Sequence, residues 1–173
     1  MKKTSIAFCL LLVLAFSFGC KKDDAEMSSP GLTVKMNGNS WTAQVTSAYY
    51  DPINDLTLIV GANTSITEQL QLAFKGNATG TFTFDSDVNA SKTYGLFAYM
   101  NTVDYYSSAT DRAPVGQIVV TEYDQANQTV SGTFHFEAYN DEDVKITFTE
   151  GSFTKITRSD ESLQVPLTTI HLN

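Results

Sequence analysis

The chain of 173 residues is poor in histidine, cysteine, tryptophan and positive charge, with two, two, one and eleven such residues. Two cysteines cannot staple a disulfide-rich scaffold. His135 and His171 leave little material for a histidine-based metal centre, and nothing calls for a metal or cofactor. Eleven basic against nineteen acidic residues give a net charge of −8. That balance works against electrostatic binding of nucleic acid or of an anionic lipid surface. A long apolar run is missing too. The longest, Ile6 to Phe18, has 13 residues, short of the roughly 20 a transmembrane helix needs.

The short run has the layout of an export leader. Lys2 and Lys3 precede it and small residues end it, which reads as a secretory signal. Ser17-Phe18-Gly19-Cys20 resembles a bacterial lipobox, in which a small residue precedes a cysteine that becomes diacylated. Gly19 and Cys20 match that pattern, whereas Ser17 and Phe18 replace its usual Leu and small residue. Cleavage after Ser17 is the rival and would give a soluble secreted protein. The lipobox is preferred because Cys20 would otherwise be an orphan thiol in an exported chain. Cys9 is lost with the leader.

On this reading residues 1–19 are signal peptide, 20–31 a polar flexible tether, and 32–173 one β domain. Lys22, Asp23 and Asp24 follow the cysteine and resemble the export signal of Bacteroidota lipoproteins. That resemblance implies an outer-membrane lipoprotein facing the cell surface; periplasm-facing and secreted forms are the alternatives. The membrane partner would be reached through the acyl chains on Cys20, because two or more chains anchor stably where one does not.

Beyond the tether the signal is period two. Leu70, Leu72 and Phe74 alternate with polar neighbours, as do Phe134, Phe136 and Ala138, and Val144, Ile146 and Phe148. Each run has one apolar and one Thr-rich face, as half-buried antiparallel strands do. Residues 20–173 contain 21 Thr, whose branched β-carbon favours the pleated sheet. Asn37-Gly38 is a hairpin turn signal, and Asp51–Asp55, Gly76–Gly80, Asp124–Asn127 and Asn140–Asp143 are further turns. The alternation slips at Glu150-Gly151-Ser152, which predicts a bulge or tight turn. Gly132 inside a strand predicts a close backbone approach or a bend. About ten short strands then make an all-β, single antiparallel β-sandwich, with a calycin-like closed barrel as the alternative.

Three stretches carry a resemblance. Met36 to Ala43 contains N-G-x-x-W-x-A, Val130 to Ala138 reads V-S-G-T-F-x-F-x-A, and Val144 to Phe153 contains Ile146-Thr147 and Gly151-Ser152-Phe153. In this order they resemble small Bacteroidota lipoproteins of uncharacterised function, which transfer no catalytic residue. Trp41 reads as a core or rim anchor.

Candidate sites are few. Asp85-Ser86-Asp87-Val88-Asn89 opens like a calcium loop, but Ala90 and Leu96 stand where that loop needs Gly and a carboxylate. Asp141-Glu142-Asp143 reads as a charged hairpin tip. His135 and Glu137 share a strand face, without a nucleophile or third partner for acid–base work. The adjacent pairs Tyr49-Tyr50 and Tyr105-Tyr106 must each turn one ring away from the core if they lie in strands. Both precede loops, so these four tyrosines are the candidate contacts for a glycan or protein partner. The expected function is a non-enzymatic, membrane-anchored binding or accessory module at the cell surface. A lipocalin-like carrier of a small apolar ligand is the alternative, and a hydrolase has the least support.

Overall fold

A computed structural model describes residues 31–85, 93–102, 104–108, 113 and 115–159. The leader, Cys20, the export signal, most of the 85–89 loop and the tail with His171 lie outside these residues. Among the described residues there is no helix, so none long and apolar enough to cross a membrane.

Eleven strands follow one another: β1 (Gly31–Met36), β2 (Asn39–Thr42), β3 (Val45–Asp51), β4 (Leu56–Ala62), β5 (Glu68–Lys75), β6 (Gly80–Thr83), β7 (Tyr94–Tyr99), β8 (Asp104–Ser107), β9 (Gly116–Asp124), β10 (Thr129–Tyr139) and β11 (Lys145–Ser159). They form one curled sheet that folds into two layers. The larger layer has the order β2-β1-β11-β10-β9-β6 and the smaller β3-β4-β5-β7-β8. At one corner Arg158 and Ser159 of β11 pair with Ala48 and Tyr49 of β3; at another Tyr139 of β10 pairs with Ser107 of β8. Sandwich and barrel are therefore two descriptions of one object, a sandwich with two corners hydrogen-bonded together. The β11–β3 pairing is parallel, which corrects the expectation of a wholly antiparallel domain. It arises because β11 runs past the end of β1 and meets the next layer in its own direction.

The turns follow their chemistry. Asn37 and Gly38 both have positive φ, 47° and 82°, as a two-residue hairpin of the twist-matching kind requires. The β3–β4 and β9–β10 turns are built alike. In each an aspartate, Asp51 or Asp124, accepts backbone N–H bonds from the two residues that end the turn and a bond from an asparagine side chain, Asn54 or Asn127. The next residue, Asp55 or Gln128, is left-handed (φ 52° and 51°). Residues Ser40–Thr46 do not form one continuous strand. Instead the chain leaves the larger layer at Ala43, whose N–H bonds Leu32 O, and joins the smaller at Gln44, whose N–H bonds Ala62 O. The buried positions change parity there, from Trp41 and Ala43 to Ala48.

Phenylalanine fills the space between the layers. Phe136 and Phe148 stack at 4.2 Å and 12°, and Phe148 meets Phe97 of the opposite layer at 5.7 Å. Three rings sit where a side chain is missing. A Cβ on Gly95 would lie 2.7 Å from the Phe136 ring, and one on Gly151 2.6 Å from Phe134. One on Gly132 would lie 2.5 Å from Phe153 and overlap the Val119 carbonyl oxygen. The close approach expected at Gly132 is thus between neighbouring backbones as well as to a ring. Of the two readings of Trp41, the core anchor holds: it belongs to the buried cluster, its indole N–H donates to Glu68 Oε2 (2.7 Å) and its ring meets Phe97 edge-on at 5.9 Å.

Equilibrium unfolding in denaturant tests this packing. Phe148→Ala should cost about 3–5 kcal/mol and Gly132→Ala about 1–3 kcal/mol or more. Gly80→Ala, whose new Cβ would make an ordinary contact with Phe82 at 3.4 Å, should stay within about 0.5 kcal/mol of wild type. Equal losses at Gly132 and Gly80 would show that the ring seats do not matter.

Candidate binding groove

The 15-residue β11 has two irregularities. Against both β1 and β10 it inserts one extra residue around Glu150, which is left-handed (φ 51°). A second extra residue lies near Lys155 (φ 47°) opposite β10. The slip predicted at Glu150-Gly151-Ser152 is thus a β-bulge. It turns Glu150 outward, and beside it the buried Gly151, a residue without a side chain, packs over the Phe134 ring.

The result is a half-open groove of about 310 Å³ on the outer face of the larger layer, lined by Gln117, Val119, Thr133, His135, Glu150 and Ser152 over Phe134 and Gly151. Glu150 pairs with Lys35 (2.7 Å), and the Ser152 and Thr33 hydroxyls lie 3.0 Å apart. The groove combines hydrogen-bonding side chains with apolar surface, a form suited to orienting a small ligand. Among the described residues no three His, Cys, Asp or Glu side chains converge as a metal site would require.

His135 lies in this groove, but Glu137 does not join it. The Glu137 carboxylate accepts from Tyr139 Oη (3.1 Å) and Lys145 Nζ (3.2 Å) instead. Asp141-Glu142-Asp143 forms an exposed hairpin tip, held by Asn140 Oδ1 accepting from the N–H groups of Glu142 and Val144.

The tyrosine pairs divide. Tyr106 is buried in the core at 8 % exposure, edge-on to Tyr99, so it is not available to a partner. The alternation of β8 requires one inward ring, and the even position takes it. The Tyr105 side chain lies outside the described residues. Tyr49 and Tyr50 are half-buried on β3. Tyr50 donates to Asp55 Oδ1 (3.1 Å), and partial burial, that bond and nearby negative charge raise its phenol above its ordinary pKa.

Tyr50 lies at a polar end of the sandwich that was not anticipated. Thr57, paired with Tyr50 across the ladder, donates to Gly76 O (2.7 Å) and lies 3.0 Å from the Tyr123 hydroxyl. Arg158, only 2 % exposed, sets its guanidinium 4.7 Å from the Tyr123 ring centroid and donates to Gln125 Oε1 (3.0 Å). Here the aromatic face and the amide accommodate a buried cation. The signal was present in the sequence, since Ile156 and Arg158 occupy the same inward phase.

One comparison bears on identity. The profile of a domain of unknown function, DUF6252, matches residues 28–157, which runs from just before β1 nearly to the end of β11. The chain belongs to the DUF6252 family. No curated protein and no solved structure gives a significant match. The match spans every groove residue of this DUF6252 domain.

The twin aspartate turns give a pH-dependent prediction. The Asn54 side chain and the Ile53 N–H hold Asp51 below its ordinary pKa, and the Asn127 N–H and side chain do the same for Asp124. A carboxylate with a lowered folded pKa stabilises the fold above its unfolded pKa of about 3.9 and loses that contribution as pH falls through the folded value. Asp124→Ala should therefore melt below wild type at pH near 7, with the gap closing below pH of about 4. A gap of constant size across that range would mean the charge is irrelevant to the turn.

Proposed function

We propose that this DUF6252 protein is a lipid-anchored, non-enzymatic binding module, held off the outer membrane at the cell surface and presenting the groove of its larger layer. The observation that carries the binding part is the groove itself, a concavity beside the Glu150 bulge that is lined by hydrogen-bonding side chains. The lipobox-like Ser17–Cys20 and the Lys22-Asp23-Asp24 signal support the anchor and its destination. The polar tether would join the fold at Gly31, opposite Thr154 on β11. A carrier of an apolar ligand would need a hollow interior. The Phe97–Phe148–Phe136 stack between the layers favours binding on the surface instead.

Anchor and exposure are tested by protease treatment of intact cells, which should remove the domain. Cys20→Ala should leave the protein unprocessed or released. Changing Lys22, Asp23 and Asp24 together to Ala should keep it lipidated but protected from protease. Membrane-bound, cleaved Cys20→Ala protein would overturn the anchor, and protection of the wild type until lysis would overturn surface display. The binding part is read by titrating solubilised cell-envelope material into the domain and following backbone amide signals. Shifts should concentrate at Gln117, Thr133, His135 and Ser152; shifts confined to Tyr49 and Tyr50 would move the site to the other layer.

A further inference from the structure

Register places a row of hydroxyls across the groove. Thr42 pairs with Thr33, Thr33 with Ser152, Ser152 with Thr133, Thr133 with Val119, and Val119 with Thr81. The row therefore crosses β2, β1, β11, β10, β9 and β6 from one edge of the layer to the other. Five of its six residues carry a hydroxyl. At a strand spacing of about 4.8 Å it is roughly 24 Å long. A second row beside it, interrupted at the Glu150 bulge, holds Ser40, Lys35 and Thr149 on one side and His135, Gln117 and Thr83 on the other. The charges on these two rows and the adjoining bulge are Lys35 and Glu150, which neutralise each other at 2.7 Å. In a chain of net charge −8, these two rows and the bulge carry no net charge.

We infer that the two rows bind a neutral polysaccharide strand laid across the β-strands, with one segment seated in the groove. The inference rests on the binding-module reading above and names its ligand class. Each Thr or Ser hydroxyl both donates and accepts, as each sugar hydroxyl does, and short β-branched side chains lose little rotamer freedom on binding. Gln117 and His135 add planar donors and acceptors. Val119, half-buried on β9, offers a small apolar patch to the C–H face of a sugar ring. The row is open at both edge strands, so a chain longer than the face can run off either side. A protein partner fits less well. The two rows hold no Trp, Tyr, Phe, Met or Arg, the residues that anchor protein interfaces. A polyanionic glycan gains nothing from a neutral face on an acidic domain. Single-site affinity is expected to be low, with many anchored copies on one polymer supplying avidity.

The probes are soluble and insoluble neutral glucans, xylans, mannans and galactans, with alginate as the acidic control. Retention of the soluble domain, residues 31–173, is measured by affinity electrophoresis and pull-down. At least one neutral polymer should retain it, and added salt should not reduce that retention. Changing Thr33 and Thr133 to Val and Ser152 to Ala together keeps shape and β-propensity, so the domain should remain folded while retention falls about tenfold or more. Tyr49→Ala should leave retention unchanged. Retention by alginate alone, retention equal in the triple variant, or retention by no neutral polymer each overturns the inference. If envelope material still shifts the groove amides in that last case, the binding-module reading survives and only the ligand class is wrong. If neither neutral polymer nor envelope material touches the groove, both fall.

Discussion

Aromatic rings seated on glycines hold the two layers at their working distance. Phe136 over Gly95, Phe153 against Gly132 and Phe134 against Gly151 each put a large apolar surface where the opposing or neighbouring strand presents bare backbone. A glycine in a strand interior is normally a liability, since it packs nothing and costs backbone entropy. Here each vacancy is filled by a ring from elsewhere, so the core reaches close packing and the strand keeps its register. The Phe136–Phe148 stack then joins the two seats in the larger layer to Phe97 in the smaller. Moving any of these rings would require two strands to shift together.

The same device shapes the surface. Because Phe134 covers Gly151 from inside, the outer side of that position is left without a side chain, and the bulge beside it turns Glu150 away. A groove on an otherwise regular sheet face follows directly. β11 also links the structure at large. Two bulges bend it enough to pair with β1 and β10 along most of its length and still reach β3 at its end. A straight strand of 15 residues would leave the sandwich before meeting the second layer. The bulges that close the corner and the bulge that opens the groove are features of one strand.

Much of this was legible in the sequence, and the division between what was and was not has a physical basis. Leu56–Ala62 and Thr129–Tyr139 are rich in apolar, β-branched and aromatic residues, and turn residues delimit both. The Asn37-Gly38 turn, the slip at Glu150 and the tight place at Gly132 all have local causes, so local patterns reveal them. The break at Ala43–Gln44 carries no Gly or Pro, and only a change in the parity of buried residues marks it. The parallel β11–β3 pairing and the row from Thr42 to Thr81 are properties of register between distant segments. No window of sequence contains them. Arg158 is hard to place from sequence because a charge near the end of a run reads as solvated, although its phase with Ile156 points inward. Tyrosine pairs drew attention as exposed aromatics, yet Tyr106 serves the core, because adjacency guarantees one inward ring as surely as one outward.

The placement of charge completes the logic of the outer face. A sheet rich in threonine, with strong β-propensity and a flat neutral surface, invites pairing with other sheets. Two features of this domain oppose it. The edge strands β2 and β6 have only four residues each, too short to template a long ladder. Acidic groups gather at the turns instead of on the two rows: Asp51 and Asp55, Asp124, and Asp141-Glu142-Asp143. Solubility is thus supplied from the ends of the molecule by a net charge of −8, which leaves the middle of the larger layer free to be neutral. A face with charges spread through it would need no such arrangement. That the hydroxyl rows carry only the Lys35 charge, which Glu150 neutralises, while the β3–β4, β9–β10 and β10–β11 turns carry acidic groups, is what a surface requires if it is to meet an uncharged ligand and not another copy of itself.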